Sequence, residues 1–361
     1  MVDYRLEGEP VIELEGNTIT GKVLIGDTST AEMKGTPMLT IHSNTETIQL
    51  FPEELLYSIS EKRAYCTKII RGSDTSGRIY FARGLELFRN GDLLINNGFT
   101  VYGTDHLLSS ISVRMDSGTM TLSGDGHLII SPEDEAEYSV YFSTAVLDDI
   151  SAKRAFLPFA VLERPDELAR CDSLNISWAD TRTLSGRNLE LYSEKDKFYL
   201  QTPEFYGEGD LIFFPTATDL FSISGTMDRS FDLDPSQVDQ QIKASKAYYD
   251  RSSGELYATG VLTKQEQWWI YSRRLLIKDS TTLYLKGAKV TTCDNWNPHY
   301  HFAVSDLKII REDKMMFRSA LYYIGGLPIL YLPFYVRDID PDEGMLVTRL
   351  GRESYSGYFI K

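Results

Sequence analysis

Period-two alternation, interrupted by polar turns, is the feature that most limits what this chain can fold into. Between Gly287 and Val336 three runs, Ala288–Thr292, His301–Ile310 and Met316–Ile324, are β-prone and partly alternating. Alternation in β-branched and aromatic residues is the mark of half-buried strands. Asp294-Asn295-Trp296-Asn297-Pro298 and Arg311-Glu312-Asp313-Lys314 supply the turns. The stretch closes on Gly325-Gly326-Leu327-Pro328-Ile329-Leu330-Tyr331-Leu332-Pro333-Phe334-Tyr335. Each proline removes a ladder donor, so this segment cannot be a central strand. It is an edge strand or an extended cap over an apolar surface.

The same texture extends upstream. Arg5–Ile25 alternates around a Gly16-Asn17 turn, Thr40–Leu50 forms another pair, and Gly77–Ile130 reads as β throughout. Asn17-Thr18-Ile19-Thr20-Gly21, Thr119-Met120-Thr121-Leu122-Ser123-Gly124 and Glu255-Leu256-Tyr257-Ala258-Thr259-Gly260 share one form: a short alternating strand ending in Gly. Their spacing is irregular. Stacked rungs of a β-jellyroll or open sleeve fit this better than a strict repeat. The expected fold is all-β with minor helical insertions. Pro52–Lys62 fits a short helix, because Pro and two Glu suit a first turn, or equally a turn into another strand. Residues 132–172 read as an insertion or join: Pro132–Glu135 is acidic, Ala145–Leu157 has helix-like composition, and Pro165–Arg170 suits one helical turn. The expected order is rungs over 1–131, the join over 132–172, rungs over 173–240, a jellyroll over 241–337, and a hinge with a new element over 338–361. A soft boundary falls at Phe231–Gln241.

Charge and motifs exclude several functions. A net charge of −15 argues against nucleic acid, which needs a basic surface. No apolar run reaches the roughly 18 residues a spanning helix needs. No nucleophile elbow, zinc-protease, P-loop or dinucleotide motif is present, so neither enzyme chemistry nor a cofactor is expected. Cys293, Asp294, His299 and His301 lie close in sequence, but Cys-x5-His-x-His matches no strong zinc spacing, and a polar strand start explains them as well. Cys66, Cys171 and Cys293 make an odd number; in a secreted protein that points to a partner thiol elsewhere.

Several segments resemble one family. Val290-Thr291-Thr292-Cys293-Asp294 is similar to the "TTC" segment of the outer-membrane lipopolysaccharide-assembly proteins LptD. Gly325–Phe334 resembles that family's G-x-P signature ending in Pro-aromatic. Asp340–Val347 resembles its approach to a β-barrel, with Asp-Glu-Gly for the usual Arg-Ser-Gly and Thr348 for a proline. Ile242–Asp250 with Ser253–Gly260 resembles its OstA-type repeat. The resemblance covers about residues 241 to 361.

It implies a periplasmic domain at the outer membrane that receives lipopolysaccharide or a related glycolipid and passes it to a barrel. Gly326, Pro328, Tyr331, Pro333 and Gly344 would be the barrel-junction signature. Cys293 would pair with cysteines beyond Lys361, while a buried free thiol suits Cys66 and Cys171. An LptA-like bridge protein would dock on an early edge strand, Val11–Leu14 or Thr18–Leu24, and an LptE-like lipoprotein would plug the barrel. Met1–Glu7 lacks the features of a leader, so either the protein is cytosolic or a leader has been removed; the resemblance favours removal.

Trp268, Ile270, Leu283, Leu285, Phe302, Val304, Phe317, Leu321 and Tyr323 are the candidates for a lipid sleeve. Their density equally suits an ordinary sandwich core. A different function, a β-solenoid that binds carbohydrate or cuts polysaccharide, would show exposed aromatics with acids in a cleft.

Overall fold

Alternation becomes antiparallel pairing. The computed structural model describes residues 4–42, 46–116, 119–131, 137–147, 153–179, 181–222, 240–265, 267–279, 281–295, 297–311, 313–339, 350–353 and 357–360. Among the described residues there is no helix. The chain divides into two compact units: Met1–Leu191 with Tyr206–Gly209, and Tyr192–Phe205 with Asp210–Lys361.

In the first unit the opening rungs are short strands on two walls. Tyr4–Glu7, Val23–Gly26, Thr30–Lys34 and Leu55–Ser58 pair in that order on one wall. Val11–Leu14, Asn17–Thr20, Met38–His42 and Thr47–Pro52 pair in order on the other. Both walls end on one long strand, Arg63–Asp74. Its first residues pair with Leu55–Ser58 and its last with Thr47–Pro52. Thr67, Lys68 and Ile69, all exposed, separate the two halves. A strand can serve two walls only by bending. Ile19, Leu39, Leu55 and Ile70 are fully buried in this unit. Each contributes about 1.5–3 kcal/mol relative to an exposed position. Arg78 is also buried. Its guanidinium lies 2.6 Å from Asp74 and also meets Glu46, and Tyr80 donates to Asp74 at 2.6 Å. Charges this deep persist only when paired.

In the second unit, six strands follow one another as a meander: Glu255–Gln265, Trp268–Asp279, Thr282–Thr291, Tyr300–Ile310, Lys314–Ile324 and Leu327–Asp338. Each of the middle four breaks its alternation near its middle. Trp268, Ile270 and Ser272 are buried, Arg273 and Arg274 are exposed, and burial resumes at Leu275 and Ile277. The same break falls at Lys286-Gly287, Ser305-Asp306 and Arg318-Ser319. Gly287 and Ser319 have φ of 63° and 51° there, and Gly260 has 61° at the matching place in the first strand. One extra residue reverses which face a strand presents. Combined with a bend, the reversal keeps both halves facing one interior. Phe302, ahead of its break, lies 5.9 Å from Phe317, whose register partner Leu307 is beyond it.

The expected helical insertions are corrected to strand. In Pro52–Lys62, where a helix and a turn into another strand were both open, the second holds: it contains the end of one strand and all of another, Leu55–Ser58. Ala145 and Leu147 end the strand Tyr138–Leu147, and Arg154–Leu157 is a strand too. Pro165-Asp166 is the turn of a hairpin in which Arg164 pairs with Glu167. Neighbouring strands offer these segments ladder partners, and tertiary pairing overrides weak helical propensity. Pro132–Glu135, the 231–239 part of the soft boundary and the 340–344 part of the hinge lie outside the described residues.

Candidate functional site

The interior of the second unit gathers seven of the nine sleeve candidates. Trp268, Ile270, Leu283, Leu285, Phe302, Val304 and Phe317 are each 0–3% exposed. Phe302 sits 4.7 Å from the Tyr322 ring, and Phe317 5.5 Å from Tyr335. Ser272 Oγ donates to the Arg274 and Lys286 carbonyls at 2.8 and 3.0 Å, which satisfies a hydroxyl buried at the bend. Leu321 and Tyr323 are placed differently. They pair with Ala303 and His301 on the outward face and are half-buried. Tyr323 stacks on His301 at 4.9 Å. The extra residue at Ser319 explains this: inward positions run Met315, Phe317, then Ala320 and Tyr322. Leu275, Ala288, Val290 and Leu307 also line the interior and were missed. Their signal was the alternation resuming one residue out of phase.

The unit ends on an apolar edge. Leu327–Asp338 pairs only with Lys314–Ile324 among the described residues. Gly325 and Gly326, at φ 56° and 83°, make the two-residue turn between them, the backbone that tight hairpins need. Of the junction signature, Gly326 is in this turn, and Pro328, Tyr331 and Pro333 are on the edge strand; Gly344 is outside the described residues. Leu327 (67%), Ile329 (59%), Tyr331 (55%) and Phe334 (59%) are exposed. Beyond the hinge, Leu350–Glu353 pairs with Gly357–Ile360.

The first unit begins on a different edge. Val11–Leu14 pairs only with Asn17–Thr20, and Tyr4–Glu7 only with Val23–Gly26, among the described residues. Thr18–Leu24 is one rung inside: Asn17–Thr20 also pairs with Met38–His42, and Val23–Gly26 with Thr30–Lys34. Of the two candidate docking strands, only Val11–Leu14 is an edge.

The three thiols differ in chemistry. Burial pushes Cys171 up to about 12 and raises Cys66. Cys293 is lowered, chiefly by backbone hydrogen bonds from Asn295 and His299, and its Sγ lies 3.6 Å from His299 Nδ1. Thr291 Oγ1 holds the two segments together. It accepts from the Cys293 N–H at 3.0 Å and donates to the Tyr300 carbonyl at 2.7 Å. His301 is not part of this pair, and two donors do not make a metal site.

No family model matches the chain. The chain is similar to the LPS-assembly protein LptD of Pseudoalteromonas atlantica, with 26% identity over 35% of this chain. It spans only 21% of that relative's length. This supports a distant LptD-like relationship.

Proposed function

We propose that the chain is part of a lipopolysaccharide-assembly protein of the outer membrane, in which the interior of the second unit shelters the acyl chains of a glycolipid. One observation carries the reading: bent strands present both of their halves to a single apolar interior, with Phe302 reaching Phe317 across it. Each buried methylene contributes about 0.8 kcal/mol, so a dozen carbons gain on the order of ten before ordering costs. Transfer of this kind needs no catalytic group. The interior is closed as it stands, with residues such as Ile270 and Leu283 fully buried. Admission of a chain therefore requires the two halves of each strand to part about their bends. The relative supports the class of cargo by its name. On this reading Val11–Leu14 and Tyr4–Glu7 receive a bridge protein, residues beyond the hinge begin a barrel wall, and Cys293 pairs with a thiol outside this chain.

The carbohydrate-binding reading has one observation of its own. A groove of about 670 Å³ in the first unit is lined by Phe81, Asn96, Asn97, Ile111 and Asp125, among others. Site-specific photo-crosslinking separates the two readings. A benzophenone amino acid at Phe302 or Phe317 should capture lipopolysaccharide, and the same group at outward Tyr284 should not. No adduct at either inward position, or equal adducts at all three, would overturn the conduit.

A further inference from the structure

Across the middle of four strands of the second unit, the outward face carries a charge opposite to that of the chain. The protein is acidic, at −15. Yet between the ends of the four strands from Trp268 to Ile324, outward positions hold Arg273, Arg274, Lys286, Lys289, Lys308 and Arg318. Among the described residues Asp306 is the acid in the middle of these strands; exposed Asp279 ends the first of them, next to Lys278. The register lines several of them up. Arg274 faces Lys286, Lys286 faces Asp306, Asp306 faces Arg318, and Arg318 faces Phe334. Neighbouring strands are about 4.8 Å apart, so these groups form one row along the outside of the bend. Like charges directly opposite each other destabilise a sheet. Asp306, between Lys286 and Arg318, offsets part of this repulsion but does not face Arg274.

The row runs into the apolar edge. Phe334 is at its end, and Tyr331, Ile329 and Leu327 continue along the same strand, each more than half exposed. A large exposed apolar patch marks an interaction surface. The prolines at 328 and 333 remove donors from this strand, which disfavours an added peptide strand as the occupant. Cations beside exposed aromatic and aliphatic side chains are the pairing that holds a surface at a membrane interface: charge attracts the anionic headgroups, and apolar groups enter the boundary.

We infer that this basic ridge and its apolar edge strand form a docking face for the anionic surface of a phospholipid bilayer. The face lies outside the interior, so it holds whether or not that interior carries lipid. Two signals act together, and neither alone gives stable attachment.

Flotation of the full chain with phosphatidylcholine vesicles, with and without phosphatidylglycerol, tests this. The chain should float with the anionic vesicles, remain behind with the neutral ones, and be released by high salt. The Lys286→Glu, Lys308→Glu double variant should weaken binding at least about tenfold, since each cation near a charged surface contributes about fivefold and two are removed. The Tyr331→Ser, Phe334→Ser double variant should also lose binding, with an unchanged circular dichroism spectrum. Equal flotation on both vesicles, no flotation, or parental binding by both variants would overturn the inference. So would a second copy held at this edge, seen as a dimer in sedimentation that the Tyr331→Ser, Phe334→Ser variant abolishes. Vesicles lacking lipopolysaccharide keep the two readings apart. Flotation without an adduct at Phe302 leaves the face standing and removes the conduit, and the reverse result does the opposite.

Discussion

The two open edges solve one problem in different ways. Both leave backbone groups without a strand neighbour among the described residues, and such edges invite unwanted pairing. At the start of the first unit the edge is divided into two four-residue strands, Tyr4–Glu7 and Val11–Leu14. Glu7, Glu9, Glu13 and Glu15 surround it, and Arg5 meets Glu7 at 2.7 Å on the surface. Its donors are intact, because no proline interrupts either strand. At the end of the second unit the edge is one twelve-residue strand with two prolines and a row of exposed apolar side chains. The first is equipped for strand addition, in which main-chain hydrogen bonds provide the affinity. The second blocks its backbone and recognises through side chains.

The largest effect should separate the apolar edge from the interior beside it. Phe317→Ala removes a fully buried ring and should cost about 3–5 kcal/mol. Phe334→Ala, on the next strand but outward, should stay within about 0.5 kcal/mol. Urea unfolding of the full chain measures both. Similar costs would mean that the edge is core, and the contrast would fail.

Next come the backbones of the edges, where opposite outcomes are expected. Proline at Val11 and Glu13, both exposed, should abolish photo-crosslinking of this edge to a bridge-type partner while the fold survives. Retained crosslinking would move the docking edge elsewhere. Replacing Pro328 and Pro333 by valine restores the missing donors. That chain should gain concentration-dependent self-association in sedimentation; a strictly monomeric variant would show that the prolines do not guard the edge.

The smallest effect lies at the turn end of the apolar edge, where the Gly325 N–H donates to the His299 carbonyl at 2.7 Å. A lowered thiol is ionised at a lower pH than an ordinary one. Cys293 should therefore react with a soluble disulfide at a pH where an unperturbed thiol is still mostly protonated. Cys66 and Cys171, buried and raised, should react only on unfolding. His299→Ala should move the profile upward only part of the way, because the backbone donors remain. An ordinary thiol profile for the parent would mean that this turn does not hold Cys293 as described.

Much of this was legible in residues alone. Alternation marked the strands, and the prolines marked the Gly325–Tyr335 segment as an edge strand or a cap, of which the structure has the edge strand Leu327–Asp338. The seven inward candidates were readable because all of them lie on the near side of the break in their own strand. Leu321 and Tyr323 were misplaced because parity was carried across Ser319. The helix-like composition of Ala145–Leu157 misled for another reason: short segments have weak preferences, and the ladder beside them decides. The closeness of Cys293 and His299 in sequence was weighed only as a metal motif, which the spacing did not favour; the thiol–imidazole contact was not foreseen.

The sequence by itself determined that this chain is built from strands, which side chains alternate within each run, and that one late strand cannot be central. Those facts are local: they follow from a two-residue period and from a missing N–H. The tertiary structure decided which face of each run is inside. One extra residue reverses the faces that follow, at positive φ in Gly287 and Ser319, and the bend beside it brings Phe302 to Phe317. Period alone cannot register that reversal, because the pattern on either side of it looks the same.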